Sequence, residues 1–390
     1  MNKVSPLGVL YPKSKLEFLH GGEIILMSMN IKINHLVGFQ EDSTMRKHNS
    51  CSRKTVISLS PLNSPVNRYV DLFSKAISDQ KFAIREFRWR PAILRKTDIV
   101  ILHWPSEIFI TDGKFATFKS ILKLAVIWLS KYLWCTRFIW VAHNAAPHDT
   151  KKSVRRLTQW FLRSVDGIIF LSAYSRDLIG ALYPESLGRD SLVTVHGHYR
   201  DAAVTPLTAS PIPTGDVKLV YIGLVRPYKN LEVLVDAATR VSGLQLLVSG
   251  MVMDRSLADA LLARVGRVQH ITLDLRDTPI SDAQFEAIVD SADAVVLPYR
   301  TILNSGAALF ALSRNRPVLA PSIGSLPELR ETVGSDWIYL YQGEFNQCVL
   351  IDFIAWTRRT KRSEVAPLAS YAWSRIGRDL GKFIELIRSA

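Results

Sequence analysis

Arg226 and Lys229 stand just past an apolar, β-branched run that ends in Gly223, within the segment KLVYIGLVRPYK, and a helical pattern, NLEVLVDAA, follows at once. A buried strand running through glycine into a helix start presents backbone N–H groups to a phosphate. Two cations beside it add charge-assisted hydrogen bonds, each worth roughly 1.5–3 kcal/mol. A second stretch has the same character. LPYR, containing Tyr299, ends the run DAVVLPY, and Asn304-Ser305-Gly306 opens the next helix with Asn or Ser as its N-cap. Free N–H groups, a positive dipole end and small side chains suit a diphosphate. Taken singly, each is equally a basic turn or a plain cap; the pairing singles them out. Glu328 and Glu331, after PSIG, either reach ribose or sugar hydroxyls of a phosphate-bearing ligand or simply supply acidic residues to a helix start.

Such loops need a scaffold that brings strand ends together. Apolar runs (TVISLS, DIVILH, RFIWVAH, DGIIFL, LVTVH) alternate with helical patterns, as buried parallel strands and their crossovers do. SPIPTGD interrupts the series with Pro, Ser, Thr and Gly, and the alternation restarts at KLVYIGL. The pattern predicts an α/β protein of two doubly wound, Rossmann-like domains facing a cleft. Residues 51–208 form the first domain, 209–216 a linker and 217–372 the second, with a last helix at 373–390. Residues 1–50, with four methionines and no sustained period, read as a poorly ordered extension.

Of 390 residues, 48% are hydrophobic, enough for sizeable cores. Cys51, Cys135 and Cys348 are too scattered for a disulfide framework or metal cluster, which suits a reducing compartment. The net charge of +14 calls for anionic partners. No nucleic-acid-binding signature accompanies it, leaving a phosphate-bearing ligand and a membrane surface. Residues 115–134, FATFKSILKLAVIWLSKYLW, are broken by Lys119, Lys123 and Lys131 and do not read as a membrane span. They read instead as an interfacial helix with Trp128 on its apolar side and lysines on the other, or as an ordinary helix packed on a sheet.

The segments HWPSE, HNAAPHD, HGHYRD, GLVRPYK, NSG and GSDWIYLYQGEF together resemble the GumI-type mannosyltransferases of xanthan-like exopolysaccharide assembly, within the two-domain GT-B glycosyltransferases. The resemblance runs from about residue 55 to the C-terminus. It implies transfer of mannose from GDP-mannose to a polyprenyl-diphosphate-linked oligosaccharide, with inversion to a β-linkage and no metal or other cofactor. It also implies a peripheral position on the cytoplasmic face of the inner membrane, and a last helix that crosses back onto the first domain. Gly223, Arg226, Lys229, Tyr299, Asn304, Ser305, Gly306 and Glu328 become the donor site. Retaining members usually carry two glutamates where this chain has Ile302 and Phe310, which counts against the retaining class.

An inverting transfer needs a base for the acceptor hydroxyl, a role worth roughly 10²–10⁴-fold. Asp149 is the first candidate, with His148 second and Glu107 a rival. His103, Trp104, His143, Asn144, His196 and His198 are the acceptor candidates, Trp104 by stacking on a sugar ring. Asp149 as a helix cap and Trp104 as packing are the plainer alternatives. Two other functions fit the same architecture: a sugar-nucleotide epimerase, needing no lipid acceptor, and a non-catalytic assembly scaffold, showing no donor turnover.

Overall fold

The computed structural model describes residues 54–64, 67–89, 92, 95–104, 116–143, 155–210, 212–266 and 268–390. Asn144, His148, Asp149, Glu107 and the 1–50 extension lie outside them. Residues from Arg53 to Ala390 belong to one compact unit. Its strands are β1 (Val56–Ser60), β2 (Ala83–Glu86), β3 (Ile99–Leu102), β4 (Arg137–Ala142), β5 (Gly167–Phe170), β6 (Asp190–Val193), β7 (Val217–Val225), β8 (Leu244–Val252), β9 (Ile271–Arg276), β10 (Ala294–Val296), β11 (Val318–Pro321) and β12 (Ile338–Tyr341).

These form two six-stranded sheets, ordered β2-β1-β3-β4-β5-β6 and β12-β11-β10-β7-β8-β9. Neighbouring strands pair in parallel, as in the registers Ile101↔Ile139 and Val295↔Val220. Parallel strands must be covered on both faces, which is why β3 and β5 are apolar throughout and fully buried. Strand order reverses direction beside β1/β3 in one sheet and β7/β10 in the other, and such reversals open a crevice at the carboxyl ends.

The helices are α1 (Arg68–Ser78), α2 (Ala116–Trp134), α3 (Arg155–Ser164), α4 (Ala173–Leu182), α5 (Leu231–Ala238), α6 (Arg255–Val265), α7 (Asp282–Asp290), α8 (Gly306–Ser313), α9 (Leu326–Val333), α10 (Gln347–Arg359) and α11 (Trp373–Ser389). Local chemistry sets several starts. Asn67 accepts from the Tyr69 N–H, Asp254 from the Leu257 N–H, and Ser281 with Gln284 forms a capping box.

Side-chain alternation splits the first sheet's core in two. Val100, Phe138, Trp140 and Ile168 face α2 and α3, while Ile99, Ile101, Ile139 and Val141 face α1 and α11. Thus α11, last in the chain, covers the first sheet. Gly377 permits this approach: a Cβ there would lie 2.9 Å from the Ala76 carbonyl oxygen on α1.

The connector between the sheets is held more firmly than its composition suggests. The buried triplet Arg314-Asn315-Arg316, after α8, donates to carbonyls of Thr205, Pro206, Thr208 and Ala209. The fully buried Glu286 of α7 accepts from Arg68 of α1 (2.6 Å), from the Thr205 hydroxyl (2.6 Å) and from the Val204 and Thr205 N–H groups. Arg68 also pairs with Asp282 at 2.7 Å. This network joins the first sheet's α1 to the second sheet's α7 and α8.

Candidate active site

On the second sheet the site is built at the β7/β10 reversal. β7 runs two residues past Gly223, whose φ of +144° is open to glycine and strained for other residues. The neighbouring Gly250 is needed as well, since a Cβ there would lie 2.2 Å from the Gly223 carbonyl oxygen. Gly223 therefore shapes the strand rather than ending it. Arg226 follows and leads into the single turn Pro227–Lys229. Asn230 closes the turn at φ +59°, and its side-chain oxygen accepts from Arg300 Nε at 2.8 Å. The Arg300 N–H donates to the Tyr228 carbonyl at 3.0 Å, so the β7 and β10 loops are locked together.

Lys229 lies inside this lock. Its Nζ is 3.9 Å from the Tyr299 ring centroid and 4.9 Å from that of Tyr228. A cation over aromatic faces gains some attraction but loses water. Burial, and secondarily the nearby Arg226 charge, bring the Lys229 ammonium down to about 7. An anionic diphosphate bound here would raise that value again. Above pH 7 binding must then take up a proton, so affinity for such an anion should fall by up to about tenfold per pH unit. Below pH 7 it should level off. Calorimetric titration from pH 6 to 9 measures this; a flat profile would place the anion elsewhere.

Histidines and aromatics make up the first sheet's side. His103 follows β3 and His143 follows β4, so parallel pairing sets them side by side, with His103 Nδ1 and His143 Nε2 at 3.1 Å. Trp104 stacks on His143 at 4.5 Å between centroids. Tyr69 of α1 touches His143 (4.9 Å), His196 (4.3 Å) and Trp373 (5.5 Å). Burial lowers His103 to about 3; it also lowers His196 to about 4, despite an opposing bond with the Gly197 carbonyl. Burial, then His103 and His196, hold His143 well below the usual imidazole range. All three are neutral at pH 7. They offer uncharged donors and acceptors suited to sugar hydroxyls rather than a fixed positive charge. His198 stands apart: its carbonyl accepts from Trp373 Nε1 at 2.7 Å and its N–H donates to the Tyr371 carbonyl, so it ties down the loop.

The two carboxyl edges meet. A Cβ on Gly306, the first residue of α8, would sit 3.4 Å from His196 Nε2 and 3.1 Å from the Tyr199 hydroxyl. Asn304 Oδ1 accepts from the hydroxyls of Ser172 (3.0 Å) and Ser175 (3.2 Å), at the start of α4. Ser305 caps α8 through the Ala308 N–H. Glu328 is engaged across the cleft, accepting from the N–H groups of Ala173 (3.0 Å) and Tyr174 (2.6 Å). Its expected reach to a donor ribose gives way here to the unsatisfied donors of a helix N-terminus, which attract a carboxylate. Ser172, His196, Asn304, Ser305, Glu328 and Tyr371 line a small cavity at this junction.

Sequence reasoning missed Tyr69, Ser172 and Ser175; Tyr199 and Arg300 lie within the motifs HGHYRD and LPYR, without a role of their own. Ser172 follows directly on the end of β5 and caps α4, a position that could have drawn attention to it. Tyr69, within an amphipathic helix, reads as core and carried no signal. Lys123 and Lys131 were expected to face a membrane. Instead Lys131 Nζ donates to both Asp166 oxygens at 2.8 and 2.9 Å, and Lys123 lies 5.5 Å from the Trp89 ring centroid.

No family model matches the chain. A GDP-mannose:glycolipid 4-beta-D-mannosyltransferase of Xanthomonas campestris pv. campestris is 30% identical over 321 residues, spanning 81% of this chain and 87% of that protein. A glycogen synthase of Mycobacterium tuberculosis is 27% identical over 183 residues, 45% of this chain and 42% of its own. Among solved structures, sucrose-phosphate synthase from Thermosynechococcus elongatus has a TM-score of 0.60 at 15% identity, covering 87% of this chain and 100% of its own. Anabaena HepE in complex with UDP-glucose has a TM-score of 0.57 at 12% identity, covering 86% and 99%. These two likenesses concern the fold, the GT-B arrangement of two parallel sheets. Together with the extent of the Xanthomonas match, they show that the chain belongs to the family of GDP-mannose:glycolipid 4-beta-D-mannosyltransferases, glycosyltransferases of the GT-B fold.

Proposed function

We propose that the protein transfers mannose from GDP-mannose to a polyprenyl-diphosphate-linked oligosaccharide, with inversion to a β-linkage, during exopolysaccharide repeat-unit assembly. It would act as a peripheral protein on the cytoplasmic face of the inner membrane. The observation that carries this reading is the placement of Lys229, beside Arg226 and over Tyr299, at the reversal point of the second sheet. The relative's name supplies the sugar, the base and the glycolipid class of acceptor.

In this mechanism the donor diphosphate lies between the Arg226–Lys229 turn and the start of α8. Negative charge grows on the diphosphate as the bond to the sugar breaks. A desolvated ammonium stabilises that charge far better than one in water, and its position is fixed before reaction. These two cations take the leaving-group role, and we propose that no metal is required. Inversion accords with Phe310, which is buried against Phe285 and Tyr199 where retaining relatives place a carboxylate. The neutral imidazoles of His103, His143 and His196 would hydrogen-bond acceptor hydroxyls, with Trp104 against the sugar. Asp149 is the proposed base, with His148 and Glu107 as its rivals.

The test uses GDP-mannose labelled in the sugar and extracted lipid-linked acceptor. Label should move to the lipid fraction equally with and without EDTA, and NMR should show a β-mannosyl linkage. Asp149→Asn should bind GDP normally and lose transfer. Transfer from UDP-glucose in preference, or donor consumption with no product on lipid, would reject the assignment.

A further inference from the structure

The outward half of α2 is apolar along its whole length. Phe118, Ile121, Leu122, Trp128, Leu129, Tyr132 and Leu133 are all exposed, Tyr132 by 85% and Phe118 by 64%. Around the helix these positions fall on one half of the cylinder, with Ala125 among them and exposed Lys119 at the edge. The other half holds Leu124, Val126 and Ile127 against the first sheet's core. A surface helix ordinarily turns apolar residues inward and charges outward. Here Lys131 is turned inward onto Asp166 and Lys123 is drawn to Trp89. Scattered exposed apolar residues are normal; a contiguous stripe of large ones marks a contact surface.

The surroundings indicate what the stripe meets. α2 and the adjacent α3 contain no acidic residue. Arg156 and Arg163 of α3 are exposed beside it, Trp160 is exposed as well, and the chain carries +14 overall. Trp128 donates its indole N–H to Ser164 at 3.0 Å, so its polar atom is satisfied inside while 63% of the residue stays exposed. Aromatic and aliphatic side chains on a convex face, on helices without an acidic residue and with Lys119, Arg156 and Arg163 exposed nearby (Arg163 is 3.5 Å from Glu185), match the boundary between anionic headgroups and acyl chains. A rigid protein partner would need a matching groove, whereas lipid adapts to a convex half-cylinder. Among the described residues no helix is long and apolar enough to cross a membrane, and the inner face of α2 is committed to the core.

We propose that α2 is the membrane-docking element, lying in the plane of an anionic lipid surface with Phe118, Leu122, Trp128, Leu129 and Tyr132 inserted. The inference rests on the exposure and charge of α2 and α3. It depends on the proposed glycolipid acceptor only in explaining why this face belongs to the lobe that carries the acceptor candidates. α2 follows β3, so its first turn begins on the side of the molecule where β3 delivers His103. Docking along α2 would therefore bring a membrane-held acceptor towards that edge.

Flotation of the full chain with phosphatidylethanolamine–phosphatidylglycerol vesicles tests this, alongside Leu122→Glu/Tyr132→Glu. Wild type should float with these vesicles and less with phosphatidylcholine. The double variant should partition roughly 100-fold more weakly, since two inserted side chains become charged. Its melting temperature and GDP binding should not change. Failure of wild type to float, or equal flotation of the variant, overturns the proposal. So does a wild-type dimer that the variant converts to monomer, because the stripe would then be covered by a second copy. Flotation as expected with no transfer to any lipid-linked acceptor leaves the docking surface standing and removes the proposed function instead.

Discussion

Lys229→Ala is expected to lower kcat/KM for the sugar donor by about 10²–10³-fold, the cost of losing one pre-placed charge at a developing anion. The fold should survive. Lys229 is a cation held between two tyrosine rings, with its ammonium brought down to about 7 by burial and by Arg226. Its folded value lies below its unfolded one, so it costs stability in full below pH 7. That cost is relieved as pH rises from about 7 towards 10.5. Alanine removes both the cost and its pH dependence. Thermal melts at pH 6 and pH 9 should therefore lie closer together for the variant than for wild type. Lys229→Arg keeps the charge and should recover part of the rate. Unchanged donor kinetics in the alanine variant would remove Lys229 from the site; collapse of the fold would recast it as structural.

The largest stability loss is expected at Glu286→Ala. Glu286 and Arg314 are both buried, and Glu286 receives hydrogen bonds from Arg68, Arg314, Thr205 and two backbone N–H groups. Breaking a buried charge pair on one side costs about 3–5 kcal/mol, because the remaining charge is left without its partner. For a chain of this size that is a fall in melting temperature of roughly 4–6 °C. The exposed pair Arg255–Asp259 should give under about 1 kcal/mol when broken. Burial alone would raise the Glu286 carboxyl, but the bonds from Thr205, Arg68 and the backbone outweigh it and bring it to about 2. The stabilisation is therefore present above about pH 4.5 and fades as pH falls towards 2. Denaturant midpoints across that window should fall steeply for wild type and more gently for Glu286→Ala. Matching slopes would show that the network contributes no acid-sensitive stability.

Both variants depend on features that differ in how far the chain announces them. The run KLVYIGLVRPYK puts a strand, a glycine and two cations in one local stretch, so a candidate phosphate site could be read from neighbours in sequence. Sheet order then required that this stretch lie beside the loop after β10. No local pattern, by contrast, marks Glu286. It is an acidic residue within an ordinary amphipathic helix, and only the return of Arg68, Thr205 and Arg314 from three other parts of the chain makes it a buried anchor. The lysines of α2 show the same limit from the other side. Their spacing correctly breaks a membrane span, but their direction depends on Asp166 and Trp89, which belong to other elements.

The α/β class, the alternation of strand and crossover, and the cationic turn are legible in the chain alone, because each follows from periodicity and residue type within about a dozen neighbouring positions. Folding in three dimensions settles the rest: Tyr69 gathers the three histidines, Asn304 and Glu328 reach across to α4, and α2 shows solvent its apolar side. Those are contacts between residues far apart in the chain. They depend on which faces the packed sheets leave free, and no local propensity encodes that.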